Sequence, residues 1–77
     1  MGRRDTQSAF YRTIIDALIQ HRRDAEITQS ELARRMGTDQ SQISKLERGE
    51  RRLDIADYAR YCHAIGLDPG HLLKKVE

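Results

Sequence analysis

Tryptophan is absent from this sequence, and proline and cysteine occur once each. A single cysteine, Cys62, cannot close an internal disulfide, and a lone thiol suits a reducing compartment. No apolar run approaches the roughly 18 residues that a bilayer span needs, and no charged-then-apolar leader opens the chain. The expected location is therefore the cytoplasm, with no membrane partner. Gly-, Pro- and Ser-rich runs that would mark a linker are missing too. With 77 residues the chain is one domain, near the size where a single core only just holds. Aromatic residues are 5% and charged residues 34%, the profile of a compact, soluble, mostly helical unit.

The groups that carry enzyme and metal chemistry are thin as well. His21, His63 and His71 fall in different segments without ligand spacing, and one cysteine cannot build a zinc site with them. His63 adjoins Cys62, but neighbours on a helix point about 100° apart and do not face each other. Cys62 falls on an apolar stripe and reads as core. No Gly-rich phosphate loop is present. Met1-Gly2 followed by Thr6 matches an acylation pattern formally, but the pattern is short and easily met by chance. The sequence predicts no enzyme, no metal, no cofactor and no small-molecule ligand.

Charge is distributed unevenly. Residues 1–23 carry Arg3, Arg4, Arg12, Arg22 and Arg23 against Asp5 and Asp16, whereas the last third is slightly acidic. The net charge of +2 points only weakly to nucleic acid.

What is present in abundance is helix punctuation. Around Thr28 the Thr hydroxyl can cap the N–H of Glu31, Glu31 can reach back, and Ile27 with Leu32 forms a hydrophobic staple. Asp39 with Gln42 repeats the capping box. Asp54 starts another helix, with Leu53 and Tyr58 as staple, and Asp68-Pro69 starts the last, proline sitting where its missing N–H costs nothing. Gly37, Gly49 and Gly66 each follow a periodic apolar run, as a left-handed helix stop does. The first helix begins between Thr6 and Ala9. The layout is all-α, with five helices at about 8–23, 29–36, 40–48, 55–65 and 69–75, and no strand-period segment, repeat or linker.

Periodicity assigns the core to Phe10, Ile14, Ala17 and Leu18 in the first helix, and to Leu32, Ala33 and Met36 in the second. Ile43 and Leu46 follow in the third, Ile55, Tyr58, Ala59, Cys62 and Ile65 in the fourth, and Leu72 in the fifth. Only Gly37, Thr38 and Asp39 join the second and third helices, so these cross steeply. Ala33 is small where they touch, Gly37 tolerates positive φ at the turn, and Ile43 and Leu46 anchor the second of the pair. This is a helix-turn-helix, with its second helix free to enter a major groove. Gln40, Ser41, Ser44 and Lys45 then share the outward face. Gln pairs with adenine, Ser with either edge, and Lys with guanine acceptors or phosphate.

The run TQSELARRMGTDQSQISKLERG at residues 28–49 resembles the phage repressor/Cro (XRE-type) helix-turn-helix family. The likeness extends over roughly residues 9–73, because that family is a compact five-helix domain of this size. It implies that Gln40, Ser41, Ser44 and Lys45 read bases and that Gln42 and Arg48 touch the DNA backbone. Further backbone contacts are expected from Gln29, whose N–H lies at a positive helix terminus, and from Arg51 and Arg52 just after Gly49. Arg3 and Arg4, within residues 1–7, read equally well as a flexible basic arm or as solvating charge. The resemblance also implies that Glu47 pairs with Arg22 at the end of the first helix as a structural ion pair.

The expected function is that of a sequence-specific, double-stranded-DNA-binding transcriptional regulator, a repressor acting as a homodimer on an inverted repeat. Leu72 points inward, which leaves Leu73 and Val76, with Tyr61 and Ala64 nearby, as an apolar patch and candidate dimer interface. The rival reading is an antitoxin or accessory module whose main partner is another protein. The size suggests control by concentration, as in a Cro-like phage protein, a restriction–modification controller or a small plasmid or chromosomal regulator. The sequence leaves these open.

Overall fold

The computed structural model describes residues 8–75. The arm expected over residues 1–7 and the interface residue Val76 lie outside the described residues. Five helices follow in order, α1 Ala9–Asp24, α2 Gln29–Met36, α3 Gln40–Arg48, α4 Ile55–Ala64 and α5 Pro69–Lys75, and no strand forms among the described residues. The ends agree with the expected layout to within one residue. They do so because caps are local chemistry.

Ser8, Thr28, Asp39 and Asp54 each take an extended backbone, and each side chain accepts the N–H three residues on. Of the two capping boxes expected, neither is reciprocal. Glu31 turns away from Thr28 and takes Nε–H bonds from Arg34 at 3.0 Å and Arg35 at 2.8 Å. The Asp39 carboxylate takes the Ser41 hydroxyl at 2.7 Å besides the Gln42 N–H at 3.1 Å. The complete box is at α4, where Asp57 N–H reaches Asp54 at 2.7 Å and Asp54 N–H reaches Asp57 at 3.4 Å. Gly37 and Gly49 close α2 and α3 at φ 75° and 83°. α1 ends without glycine, so Glu26 itself takes the left-handed position at φ 60°.

α2 packs on α3 and α4, α1 on α3 and α5, and α4 on α5. The core is Ile14, Leu18, Ile27, Leu32, Ala33, Ile43, Leu46, Tyr61, Cys62 and Leu72. Ala17, Met36, Tyr58 and Ile65, also expected there, are partly buried against it, and three expected core residues are exposed. Phe10 is 59% exposed and Ile55 86% exposed, and Ala59 is exposed too. The inward stripe of α4 is rotated from the expected one and runs through Asp57, Tyr58, Tyr61 and Cys62. Apolar periodicity favours Ile55, but Asp57 is drawn inward by the capping box and by Arg51 and Arg60. Tyr61 is drawn in by a carboxylate on α3. In α1 the buried face includes Ile15 as well as Ile14 and Leu18.

Candidate nucleic-acid interface

The support for α3 is a buried carboxylate. Glu47 closes α3 on its inner side, next to the C-terminal end of α1, and all four of its lone-pair directions are used. Oε2 accepts Arg22 Nε at 2.8 Å and the Tyr61 hydroxyl at 2.7 Å. Oε1 accepts Arg22 Nη2 at 3.0 Å and Gln29 Nε2 at 2.8 Å. Arg22 spends its remaining Nη1 on the Ile27 carbonyl at 2.7 Å, which fixes the chain between α1 and α2. Burial opposes ionisation of Glu47, yet the bonds from Arg22, Tyr61 and Gln29 outweigh it and hold the carboxyl below its ordinary value. Burial likewise opposes the Arg22 charge, and Glu47 more than restores it. The ion pair implied for Arg22 and Glu47 is present, buried and bidentate.

The same geometry corrects one interface residue. Tyr61 is 2% exposed and cannot belong to an outward patch. Its ring is core and its hydroxyl is committed to Glu47. Burial and the Glu47 charge both push its phenol upward from the ordinary tyrosine range. No local signal could have revealed this, because the partner lies 14 positions away.

The outer face of α3 is a different surface. Gln40, Ser41, Ser44 and Lys45 come together there with Arg48, lining one shallow hollow. Ile43, Leu46 and Glu47 form the buried underside. Polar groups on this face are tied to one another and to α2. Gln40 Nε2 donates to Gln29 Oε1 at 3.3 Å, and Ser44 Oγ donates to the same oxygen at 3.2 Å. Ser30 Oγ donates to Gln40 Oε1 at 3.3 Å. Ser41 and Ser44 thus donate their hydroxyl hydrogens to Asp39 and Gln29 and keep only acceptor capacity for another partner. Lys45 makes no ion pair among the described residues and stays exposed.

The expected backbone contacts are spread around this face. Gln29 begins α2, and its side chain meets that of Gln40 at 3.3 Å. Gln42 is half-buried on α3. Arg48 pairs with Glu50 at 2.9 Å, and Arg51 reaches the buried Asp57 at 3.4 Å. Arg52 stacks over the Tyr11 ring with 5.6 Å to the centroid. Two supports were not foreseen from sequence. Arg12, paired with Asp16 one turn on, also reaches the Glu47 carbonyl at 3.5 Å near the C-terminal end of α3. Ser30 braces Gln40 from α2. Arg12 and Glu47 are 35 positions apart, beyond any local pattern.

Apolar exposure collects elsewhere. Phe10, Ile55 and Leu73, the large hydrophobic side chains left exposed among the described residues, all border one groove of about 270 Å³ between α1, the start of α4 and α5.

Residues 16–74 match the family described as a helix-turn-helix domain. Among solved structures, the fold is similar to that of an XRE-family like protein from Pseudomonas syringae pv. tomato str. DC3000. The TM-score is 0.86 at 47% identity, over 88% of this chain and 83% of that one. It is also similar to the clp gene regulator ClgR from C. glutamicum, with a TM-score of 0.78 at 27% identity over 91% of both chains. No curated protein matches at a significant level.

Proposed function

Because the chain belongs to the XRE-type helix-turn-helix family of DNA-binding transcriptional regulators, we propose that it is a sequence-specific repressor that binds an inverted-repeat operator as a homodimer. The observation that carries this reading is the outer face of α3. Gln40, Ser41, Ser44, Lys45 and Arg48 share one surface, while the opposite side of the helix is locked into the core by Ile43, Leu46 and Glu47. A rigid helix presenting polar side chains in this way can lie in a major groove and meet base edges. Arg51 and Arg52 flank it as phosphate contacts, and Gln29 serves the same purpose from the start of α2.

One such helix reads too few base pairs to define an operator. The groove bordered by Phe10, Ile55 and Leu73 supplies the means of pairing, since a contiguous apolar patch marks an interaction surface. A second copy seated there on a two-fold axis would present two α3 helices to half-sites about 34 Å apart. The same apolar face is the one observation favouring a second reading, an antitoxin or accessory module with a different protein partner.

Selection of bound duplexes from a random pool tests the proposal. An inverted repeat is the expected result. A single half-site removes the homodimer, and a flat pool removes specific binding altogether. Purified protein that sediments as a monomer and pairs only with a co-purifying partner favours the accessory module.

A further inference from the structure

Glu47 is an acceptor and nothing else, and it dictates the orientation of groups well beyond its own contacts. Its Oε1 lies 2.8 Å from the side-chain amide of Gln29. Against a carboxylate only the NH2 end of that amide is tolerable, because the carbonyl end would set two acceptors face to face. Gln29 must therefore turn its Oε1 the other way, towards α3. There it accepts both Gln40 Nε2 and Ser44 Oγ, which fills its two lone pairs. Gln40 must in turn direct its NH2 end at Gln29 and its Oε1 at Ser30. The order of donor and acceptor on Gln40 is thus set through one intermediate by a buried charge.

We propose that Glu47, acting through Gln29, fixes the amide polarity of Gln40 and so makes this position distinguish an A·T pair from the same pair inverted. The inference rests on the reading of α3 as the base-reading helix. Across the major groove an A·T pair presents acceptor, donor, acceptor and methyl in that order, and a T·A pair presents them reversed. A glutamine that flips freely offers either order and serves adenine on either strand. A glutamine held in one polarity has one outward N–H and one outward carbonyl lone pair in a defined order, and matches adenine on one strand only. The arrangement also leaves Gln29 with one N–H that has no acceptor among the described residues, suited to a phosphate oxygen. Gln29 is then a positioning residue for Gln40 as well as a backbone contact.

The test compares the wild-type protein with Gln29→Met on its selected operator. Met keeps the length and helix propensity of Gln but has no polarity to transmit. Gln40→Ala first identifies the base pair that Gln40 reads. Affinities are then measured for duplexes carrying A·T, T·A and G·C there, with a non-specific duplex and the thermal midpoint as controls. In the wild type the expected preference for A·T over T·A is tenfold or more, and in Gln29→Met it falls at least fivefold. The preference over G·C changes less. Loss of the Gln29 phosphate contact lowers all affinities together and cancels in these ratios. A merely structural role for Gln29 would lower the midpoint and leave the ratios in place. An unchanged A·T to T·A ratio in Gln29→Met, or a base pair at Gln40 that is not A·T, overturns the relay while leaving DNA reading intact. A wild type with no base preference overturns the DNA-reading proposal itself, and the relay with it.

Discussion

Arg22 holds the Glu47 carboxylate through two parallel bonds of 2.8 and 3.0 Å, both groups buried where α1 meets α3. Removing one partner leaves the other charged, desolvated and unpaired, which costs about 3–5 kcal/mol. Glu47→Ala is expected to lose that much in urea denaturation, since it also strands the Tyr61 hydroxyl and the Gln29 amide. Arg22→Met should cost a similar amount. The double change Arg22→Met with Glu47→Leu should cost less than the two singles added, because no charge is left behind. Strict additivity would show that the pair carries no coupling.

Acid should undo this domain through its carboxylates. Glu47 is held below its ordinary value despite burial. Glu31 is pulled down to about 2, chiefly by its bonds to Arg34 and Arg35. Asp39 is lowered mainly by the Ser41 hydroxyl, and Asp54 mainly by the Asp57 N–H. In every case the folded value lies below the unfolded one. Below the ordinary carboxylate range, near about pH 4, the unfolded chain therefore binds protons that the folded chain refuses. The stabilisation is fully present at neutral pH and is lost as pH falls through the folded values. Glu31, Asp39 and Asp54 are screened by solvent, so Glu47 should dominate. Thermal midpoints should stay level from about pH 8 to pH 5.5 and fall steeply below about pH 4.5. Glu47→Gln should flatten the acid limb more than Glu31→Gln does. An equal effect from the two would remove Glu47 from that role.

The helix ends contrast two left-handed positions. Gly37 at φ 75° has open space around any added Cβ, so Gly37→Ala is charged only the backbone strain, about 1–2 kcal/mol. In a domain of this size each 1 kcal/mol corresponds to roughly 4–8 °C in thermal midpoint. Gly37→Asn should fall by less, since Asn tolerates this conformation. Glu26 at φ 60° bears the same strain now. Glu26→Gly should raise the midpoint, because relief of about 1–2 kcal/mol exceeds the roughly 0.5–1 kcal/mol of glycine entropy. Shifts of the same sign at the two sites would contradict this account.

Which parts of the molecule were legible beforehand follows from the range of the forces involved. Thr28, Asp39 and Asp54 act on N–H groups three residues away, so those helix starts could be read from adjacent letters, whereas the Ser8 cap was not singled out and the start of α1 stayed open between Thr6 and Ala9. The α3 face could be read because helical periodicity alone brings Gln40, Ser41, Ser44 and Lys45 together. The α4 stripe could not. Ile55 looks like core, but the winning terms are polar: Asp57 is held by Asp54, Arg51 and Arg60 within six positions, and Tyr61 by Glu47, 14 positions away. Pattern matching for hydrophobicity gives no credit for a buried aspartate. The Arg22–Glu47 pair was anticipated from family likeness, whereas its extension to Tyr61, and through Gln29 to Gln40, was not.

Base and phosphate contacts should separate in binding experiments. Gln40→Ala should relax preference at one base pair, by on the order of 1–3 kcal/mol. Arg51→Ala should weaken every sequence alike and reduce the salt slope by about one. The second change is clean because Asp57 keeps Arg60 at 2.8 Å and is not left unpaired. Salt titrations on the operator and on a scrambled duplex distinguish the two. Identical behaviour of both variants would mean that the sorting into reading and clamping residues is wrong.

Leu72 and Leu73 are neighbours on α5 with opposite surroundings, and that difference gives the sharpest test of the homodimer. Leu72 is 1% exposed and completes the core, while Leu73 is 44% exposed beside Phe10 and Ile55. Glu at position 72 would place an unpaired charge in the core and unfold the domain. Glu at position 73 meets solvent in the monomer and becomes costly only if a second copy covers it. Leu73→Glu is therefore expected to keep the wild-type helix content and thermal midpoint at low concentration. It should shift sedimentation from dimer to monomer and weaken binding to the full inverted repeat by tenfold or more, with little effect on an isolated half-site. Phe10→Glu and Ile55→Glu should reproduce it, because all three residues border one groove. A wild type that sediments as a monomer at every concentration, or a Leu73→Glu protein that stays dimeric, would move the interface away from this face.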